Sequence, residues 1–313
     1  MTNQSDLQNR TLKLDCFLSS EYIAWLTVFG IEAVAIVILN ALTIMIFLKE
    51  RRLRKRSMYL TISLAVADMF NALSLILISW IFILGNDFNS WKINFFGIYV
   101  VLEALMAYFP TVSVTNLAAI SLERMHATFR PFKHRLVKKK LFGAAVAAVW
   151  ITAIVLTAII LSQLLFDISR DHGSAAYISF LFCCVLVILV SYSSIAAKFY
   201  CGAHPQRHGA ISRERKLTKT LFIVTVVSLI LLLPLNIFYI VFFLYSGERR
   251  SETISDQTGW HLHLMYCVTC LFYANSFINP VLYALKIPEF KRALLALLRC
   301  RFPRSEQVQI FSF

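Results

Sequence analysis

The fold of this chain is decided by residues 94–130, which read NFFGIYVVLEALMAYFPTVSVTNLAAISLERMHATFR. Between 94 and 122 the only charged residue is Glu103, and the apolar run then ends at Glu123 and Arg124. A helix crosses the hydrocarbon core of a membrane with about 20 predominantly apolar residues, and a charge at its end must be paired, hydrated or functional. The stretch therefore predicts a membrane-spanning helix that ends in an Arg124 paired with Glu123.

The composition places the whole chain in the same environment. Of its 313 residues 58% are hydrophobic and only 15% are charged, and the mean hydropathy is +0.68. These values lie far outside ordinary globular usage and indicate a polytopic membrane protein. The net charge of +14 does not indicate a nucleic-acid partner, because the basic residues gather in short runs between apolar segments, as in cytoplasmic loops. Neither a glycine-rich phosphate loop nor a nucleophile with its base suggests an enzyme.

Seven apolar segments are long enough to span a membrane as helices. The polar connections between them are too short to fold as domains. The predicted fold class is therefore all-α, a seven-transmembrane helix bundle over residues 22–286. The seven predicted helices cover 22–48, 58–84, 94–125, 141–166, 175–200, 217–245 and 260–285.

Lys and Arg are distributed unequally between alternate connections. Of the 31, 25 lie on one side, after the first, third, fifth and seventh segments. Cytoplasmic loops hold the excess of Lys and Arg, so we expect residues 1–21 to be an extracellular N-terminus and the C-terminus to be cytoplasmic. Asn3 and Asn9 begin Asn-x-Ser/Thr patterns in that external segment and are candidate glycosylation sites. The sequence thus predicts a membrane glycoprotein with an external N-terminus.

A few polar residues stand within the apolar segments, where each must find a partner or serve a function. Asp68 places one carboxylate in the middle of the second segment, and the seventh reads Asn275-Ser-Phe-Ile-Asn279-Pro280-Val-Leu-Tyr283. Pro280 has no N–H, so it frees the backbone carbonyl one turn earlier, and neighbouring polar groups can bind that carbonyl.

Several of these residues resemble the motifs of one receptor family. Glu123-Arg124-Met125 resembles the Asp/Glu-Arg-Tyr box of rhodopsin-like (class A) G-protein-coupled receptors, and Asn279-Pro280-x-x-Tyr283 resembles their Asn-Pro-x-x-Tyr motif. The resemblance covers residues 40–300. Further matches fall in the expected helices and order, at Asn40, Leu64-x-x-x-Asp68, Trp150 and Pro234. For Asn40 and Trp150 a role in joining neighbouring helices also stays open.

The resemblance implies a signalling mechanism. An extracellular ligand, which the sequence does not name, would shift the sixth helix against the third and activate a heterotrimeric G protein. Arg124 would engage the G protein, and Glu214 stands where the family supplies a carboxylate that locks this arginine. A solvated Glu214 in a basic loop is the alternative. Tyr192 and Tyr283 match the tyrosines that rearrange on activation.

The resemblance also implies an ion site. Asp68, Ser113, Asn275 and Asn279 match the positions that hold a sodium ion in many such receptors. Oxygen ligands around one carboxylate suit a hard cation, and the bound ion would favour the inactive state. A hydrated polar cluster without a fixed ion is the alternative. No other cofactor is expected.

The chain departs from the family pattern in three places. Tyr99 stands where a cysteine usually forms a disulfide with the second external loop, and 166–177 contains no cysteine to complete it. Cys184 replaces the usual proline of the fifth helix. In these departures the chain is closest to the cluster of melanocortin, lysophospholipid, cannabinoid and adenosine receptors. Leu232 stands where the family has the tryptophan switch of the sixth helix, and Ser228 stands where an aromatic residue is typical. These two replacements put the family's usual activation trigger in doubt for this chain.

Four residues are candidates for the ligand pocket, namely Glu103, Met106, Leu232 and Tyr273. Tyr273 stands where opsins carry the retinal lysine, and Met106 where amine receptors carry an aspartate. The resemblance therefore implies neither a retinal Schiff base nor an aminergic pocket. Glu103 is the intramembrane acid best placed to pair with a cationic group on the ligand. Its alternatives are to reach the external interface or to pair with another helix.

Residues 287–300 predict a short amphipathic helix on the inner membrane surface. Phe290, Leu294, Leu297 and Leu298 recur there at helical spacing. Cys300 at the end of this helix is a candidate palmitoylation site, and an unmodified surface cysteine is the alternative. Residues 301–313 then form a short cytoplasmic tail.

Two other functions stay open at this point. A receptor-fold protein that no longer signals would act as a decoy or dimer partner, and the leucine at the switch position is compatible with that reading. A seven-helix transporter would use Asp68, Glu103 and Glu32 as a relay. Transporters commonly show internal repeats with matching helix breaks, and neither is visible in the sequence.

Overall fold

A computed structural model of the chain describes residues 4–50, 58–85, 95–166, 170–201, 223, 226–228, 230–238, 240–241, 259–286 and 288–299. Over these ranges the chain is helical and contains no strand, which confirms the all-α class. The helices are α1 Gln4–Lys49, α2 Met58–Gly85, α3 Phe95–Phe129, α4 Pro131–Leu136, α5 Lys139–Phe166, α6 Arg170–Cys201, α7 Val226–Phe238, α8 Gly259–Lys286 and α9 Pro288–Leu298.

Six helices of the described part, α1, α2, α3, α5, α6 and α8, are long and apolar enough to cross a membrane. The apolar helix α7 lies inside the predicted span at 217–245. Most helix ends fall within a few residues of the prediction. The exceptions are the start of α1, at Gln4 instead of 22, the end of α3, at Phe129 instead of 125, and the start of α6, at Arg170 instead of 175.

The differences at α1 and α3 have a local cause. Between Gln4 and Gly30 the sequence holds no glycine or proline that would end a helix. The part of α1 that is apolar enough to span a membrane nevertheless begins at Ile23, close to the predicted start of the span. At the other position, Arg130 precedes Pro131 and has a non-helical backbone with φ −130° and ψ 62°. A proline disfavours helical geometry in the residue before it, so α3 ends at Phe129.

The bundle is built around α3. This helix packs against α2, α5 and α6 along its length, and against the short α4 at its end. On one side of the bundle α1 packs against α2, α8 and α9. The largest apolar cluster fills the space between the helices and includes Leu64, Val114, Ile188, Leu232 and Tyr273.

The polarity of the bundle is opposite to that of a soluble protein. Large apolar side chains such as Ile31, Ile151 and Val190 are about 60% exposed or more on the outside (68%, 59% and 62%). Asn40 and Asp68 are buried inside with at most 1% exposure. Large contiguous apolar surface marks contact with an apolar environment, and lipid is that environment for spanning helices. The polar residues that can form a functional site therefore lie in the interior of the bundle.

Helix α9 packs against the bundle through an apolar face that contains Phe290. Phe290 is 2% exposed and its ring lies 5.7 Å from that of Phe47 and 6.1 Å from that of Tyr283. Lys291 and Arg292 on the same helix are exposed. This separation of an apolar and a basic face is the amphipathic arrangement predicted for the segment after the seventh span.

Candidate functional site

The centre of the bundle holds one buried carboxylate with three donors. Ser113 Oγ donates to Asp68 Oδ1 at 2.6 Å, and Ser276 Oγ donates to the same oxygen at 2.9 Å. Asn279 Nδ2 donates to Asp68 Oδ2 at 3.3 Å. The three donors come from α3 and α8, so the carboxylate of α2 joins three helices. A carboxylate without solvent is tolerated only with such partners.

Further polar atoms lie along the same turns of these helices. Asn275 is buried next to Ser276, and the side-chain oxygens of Asn275 and Asn279 have no hydrogen-bond partner among the described residues. Asn71 lies one turn after Asp68 on α2, and its side-chain oxygen and nitrogen also have no hydrogen-bond partner among the described residues. Carboxylate, hydroxyl and amide oxygens are the donor atoms that hard cations prefer. The residues present thus fit the predicted sodium ion.

The structure brings together most of the predicted ion site. Asp68, Ser113 and Asn279 are joined by hydrogen bonds, as described above. Ser276 was not predicted as a member of this site. Its position three residues before Asn279 was the available signal, since residues three apart share one face of a helix.

The carbonyl that Pro280 frees is bound by the first helix. The carbonyl of Ser276 lies four residues before Pro280 and so has no helical N–H to accept. Asn40 Nδ2 donates to this carbonyl at 3.1 Å and to the carbonyl of Ile36 at 3.0 Å. The expectation that a neighbouring polar group binds the freed carbonyl is confirmed. Asn40 therefore joins α1 to α8.

Trp150 also joins two helices. Its Nε1 donates to Ser63 Oγ at 3.0 Å, which links α5 to α2. The ring of Trp150 lies 6.0 Å from that of Tyr108 on α3, in an edge-to-face arrangement. The helix-joining role that the sequence left open for this residue is observed.

At the end of α3, which we call the Arg124 end of the bundle, an arginine and a histidine share one carboxylate. Arg124 Nε lies 3.0 Å from Glu123 Oε2, which confirms the predicted pair. His134 Nε2 lies 2.7 Å from Glu123 Oε1 and reaches it from α4. The Glu123 side chain is only 8% exposed. The contact with His134 was not predicted, because residues eleven apart in different helices share no periodicity.

A lysine of α6 closes over the same end of α3. Lys198 Nζ donates to the carbonyl of Thr128 at 2.5 Å and lies 4.8 Å from the ring centroid of Phe129. The last carbonyls of a helix have no helical donors and carry a partial negative charge, so a lysine there is favourable. This contact fixes α6 against α3 beside Arg124.

The two predicted switch tyrosines are both buried, Tyr192 on α6 at 3% exposure and Tyr283 on α8 at 6%. The pocket candidates are more dispersed. Leu232 and Tyr273 belong to the central apolar cluster. Glu103 is partly buried on α3, whereas Met106 is 46% exposed.

The opposite end of the bundle holds a contact that the sequence did not indicate. His263 of α8 lies between two residues of α1, with Nε2 3.2 Å from Glu21 Oε2 and Nδ1 accepting from Trp25 Nε1 at 3.4 Å. The rings of Trp25 and Tyr266 lie 5.4 Å apart beside it. A histidine protonated on Nε2 alone satisfies both polar contacts.

Several predicted residues lie outside the described part of the chain. These are Asn3, Glu214 and Cys300, together with the side chains of Asn9 and Tyr99. The glycosylation and palmitoylation sites and the Arg124–Glu214 lock therefore stay predictions.

Comparison with known proteins defines the class. Residues 39–283 match the model of the rhodopsin family of 7 transmembrane receptors. The chain therefore belongs to that family and is a multi-pass membrane receptor. It is 24% identical to the allatostatin-A receptor of Bombyx mori over 89% of this chain and 80% of that one. It is 26% identical to the human histamine H2 receptor over 80% and 73%, and 24% identical to the dog substance-K receptor over 95% and 81%.

Proposed function

We propose that the chain is a plasma-membrane receptor that activates a heterotrimeric G protein when an extracellular ligand shifts the span containing α7 against α3. The observation that carries the proposal is the Arg124 pair with Glu123, at 3.0 Å, at the end of the central helix. The excess of Lys and Arg in the connections on this side supports a cytoplasmic Arg124 end. An arginine held by a partly buried carboxylate is a group that a conformational change can release.

In this mechanism Arg124 has a second partner in the inactive state. Glu214 lies in the basic segment before the sixth span, where a carboxylate can pair with Arg124 only if that span is close to α3. Breaking the pair raises the population of the active state without ligand. Removing Arg124 itself removes the group that engages the G protein.

The experiment measures basal activation of a panel of G proteins in cells at matched surface expression. Glu214→Ala is expected to raise the basal signal and Arg124→Ala to abolish it. Glu50→Ala is the matched control, because it removes another carboxylate at the same end of the bundle and should leave the signal unchanged. If all variants stay at background, the lock is absent and the non-signalling reading replaces the proposal.

The proposal includes a sodium ion held by the Asp68 cluster. Asp68, Ser113, Ser276 and the buried amide oxygens of Asn275 and Asn279 would supply the oxygens. The ion would neutralise the buried carboxylate and favour the inactive arrangement. The test is the thermal stability of the purified receptor in sodium against potassium at equal ionic strength. We expect sodium to stabilise the unaltered chain but not Asp68→Asn, and equal stability in both salts would refute the ion site.

For the ligand we propose a molecule with a cationic group that pairs with Glu103. The names of the relatives point to histamine for one and to allatostatin-A or substance K for others, so they do not agree on a ligand. Met106 stands where amine receptors carry an aspartate, which leaves Glu103, one turn away on α3, as the acid for a cation. Once an agonist is known, Glu103→Gln should lower its potency, and an unchanged potency would exclude the pairing.

A further inference from the structure

The short helix α4 has two opposite faces. Phe132 and Leu136 are four residues apart, so they share one face, and they are 81% and 80% exposed. His134 points from the other face to Glu123, at 2.7 Å. The inner face is thus tied to the end of α3, and the outer face presents two large apolar side chains away from the bundle.

The apolar face of α4 is surrounded by positive charge. Lys133 and Arg135 flank it on either side of the helix, and Lys138, Lys139 and Lys140 follow directly. All five are exposed. From 124 to 140 the sequence contains seven Lys and Arg and no Asp or Glu. A partner of this surface must therefore offer both negative charge and an apolar phase.

The position of α4 supplies the second requirement. It connects two spanning helices directly, since the candidate span of α3 ends at Phe129 and that of α5 begins at Lys139. A helix between such ends lies at the boundary between the membrane and water. The apolar outer surface of α5 continues from this point, with Leu141 62% exposed beside Lys140. Helices with an apolar stripe flanked by cations lie in such an interface and prefer anionic lipid.

We propose that this α4 surface, formed by Phe132, Lys133, Arg135, Leu136 and Lys138 to Lys140, binds anionic phospholipid of the leaflet at the Arg124 end. Phe132 and Leu136 enter the boundary of the acyl chains, and the cations bind the headgroups. This binding goes beyond the proposed receptor function and does not require it, because no ligand or G protein takes part. A second consequence is that lipid holds α4 in place, and with it His134 against Glu123.

The experiment places a fluorescent probe on the apolar face of the full chain. Phe132→Trp is reconstituted in nanodiscs of phosphatidylcholine with a minor fraction of phosphatidylserine. Brominated acyl chains, which quench tryptophan on contact, are carried either by the phosphatidylserine alone or by the phosphatidylcholine alone. The unaltered chain in the same nanodiscs gives the background of its five native tryptophans. The ratio of the two quenching efficiencies, corrected for mole fraction, reports the local enrichment of anionic lipid.

We expect an enrichment of severalfold, because each cation near an anionic surface contributes about fivefold to binding. Adding Lys138→Gln, Lys139→Gln and Lys140→Gln should return the ratio close to one. The control Lys291→Gln, Arg292→Gln and Arg299→Gln removes three cations from the region of α9 and should leave the ratio unchanged.

Three results would overturn the proposal. Absence of quenching by either lipid would place the apolar face outside the membrane and leave a protein partner as its occupant. Equal quenching by both lipids would show lipid contact without preference for negative charge. Equal loss of enrichment in the α9 control would assign the effect to the total charge of the receptor, not to the α4 surface.

Discussion

The bond between Asn40 and the carbonyl of Ser276 can be tested by a double-mutant cycle. In the native chain Pro280 removes the backbone donor for this carbonyl, and Asn40 replaces it at 3.1 Å with 1% exposure. Asn40→Ala alone leaves a buried acceptor without a donor. In a Pro280→Ala background the N–H at 280 can donate to the carbonyl, so the same change at Asn40 should cost less.

The size of the coupling follows from the environment. An unsatisfied buried acceptor costs about 1–3 kcal/mol, but hydrogen bonds between membrane helices average about 0.6 kcal/mol with a maximum of about 1.7. We therefore expect a coupling free energy of about 1 kcal/mol, which corresponds to about 2–4 °C in the unfolding temperature. The assay is thermal unfolding of the four purified receptors in one detergent, followed by tryptophan fluorescence.

The matched control uses Thr43, which is also 1% exposed on α1. Its Oγ1 donates at 2.8 Å to the carbonyl of Leu39 in its own helix, a bond that Pro280 does not affect. Thr43→Ala and Pro280→Ala should therefore be additive. If Asn40→Ala and Pro280→Ala are additive as well, the freed carbonyl does not need Asn40 and our account of the proline site is wrong.

Three other changes test the contacts around the site. Ser276→Ala removes one of the three donors to Asp68, so we expect a loss of about 1 kcal/mol in the free energy of unfolding. The difference in thermal stability between sodium and potassium should also become smaller. An unaltered sodium response would exclude Ser276 from the ion site. His134→Phe keeps a ring on α4 but removes the contact to Glu123, and basal signalling should rise at matched expression; no change would show that Glu123 needs no second partner. Phe290→Ala should cost about 3–5 kcal/mol if α9 is well packed, as measured by thermal unfolding, and a loss below about 1 kcal/mol would show that α9 is only loosely docked.

The helices and the freed carbonyl before Pro280 could be predicted because each depends on local sequence. Length and apolar composition set the spanning helices, and the missing N–H of Pro280 predicts a freed carbonyl wherever that proline stands in a helix. Asp68, Ser113 and Asn279 were assigned to one site through the family resemblance, since no local pattern places three different helices side by side.

The contacts of His134, Lys198 and His263 could not be predicted in the same way. Each depends on the path of the chain between two helices. One example is the non-helical residue Arg130 after α3, which turns the chain so that His134 lies against Glu123. The relevant distances are set by packing, and a histidine or lysine near a helix end has many equivalent partners in sequence alone.

The interface between α1 and α8 is held by contacts at three levels along the bundle. His263 binds Glu21 and Trp25 at one end, Asn40 binds the Ser276 carbonyl midway, and Phe47 packs with Tyr283 and Phe290 at the other end. The α1 helix is thus completed by α8 and α9, which are synthesised after it. A nascent chain that stops before α8 exposes Trp25 and Phe47 to lipid and leaves the amide of Asn40 without its second acceptor. An unfinished chain therefore differs from a finished one in the exposure of this face of α1.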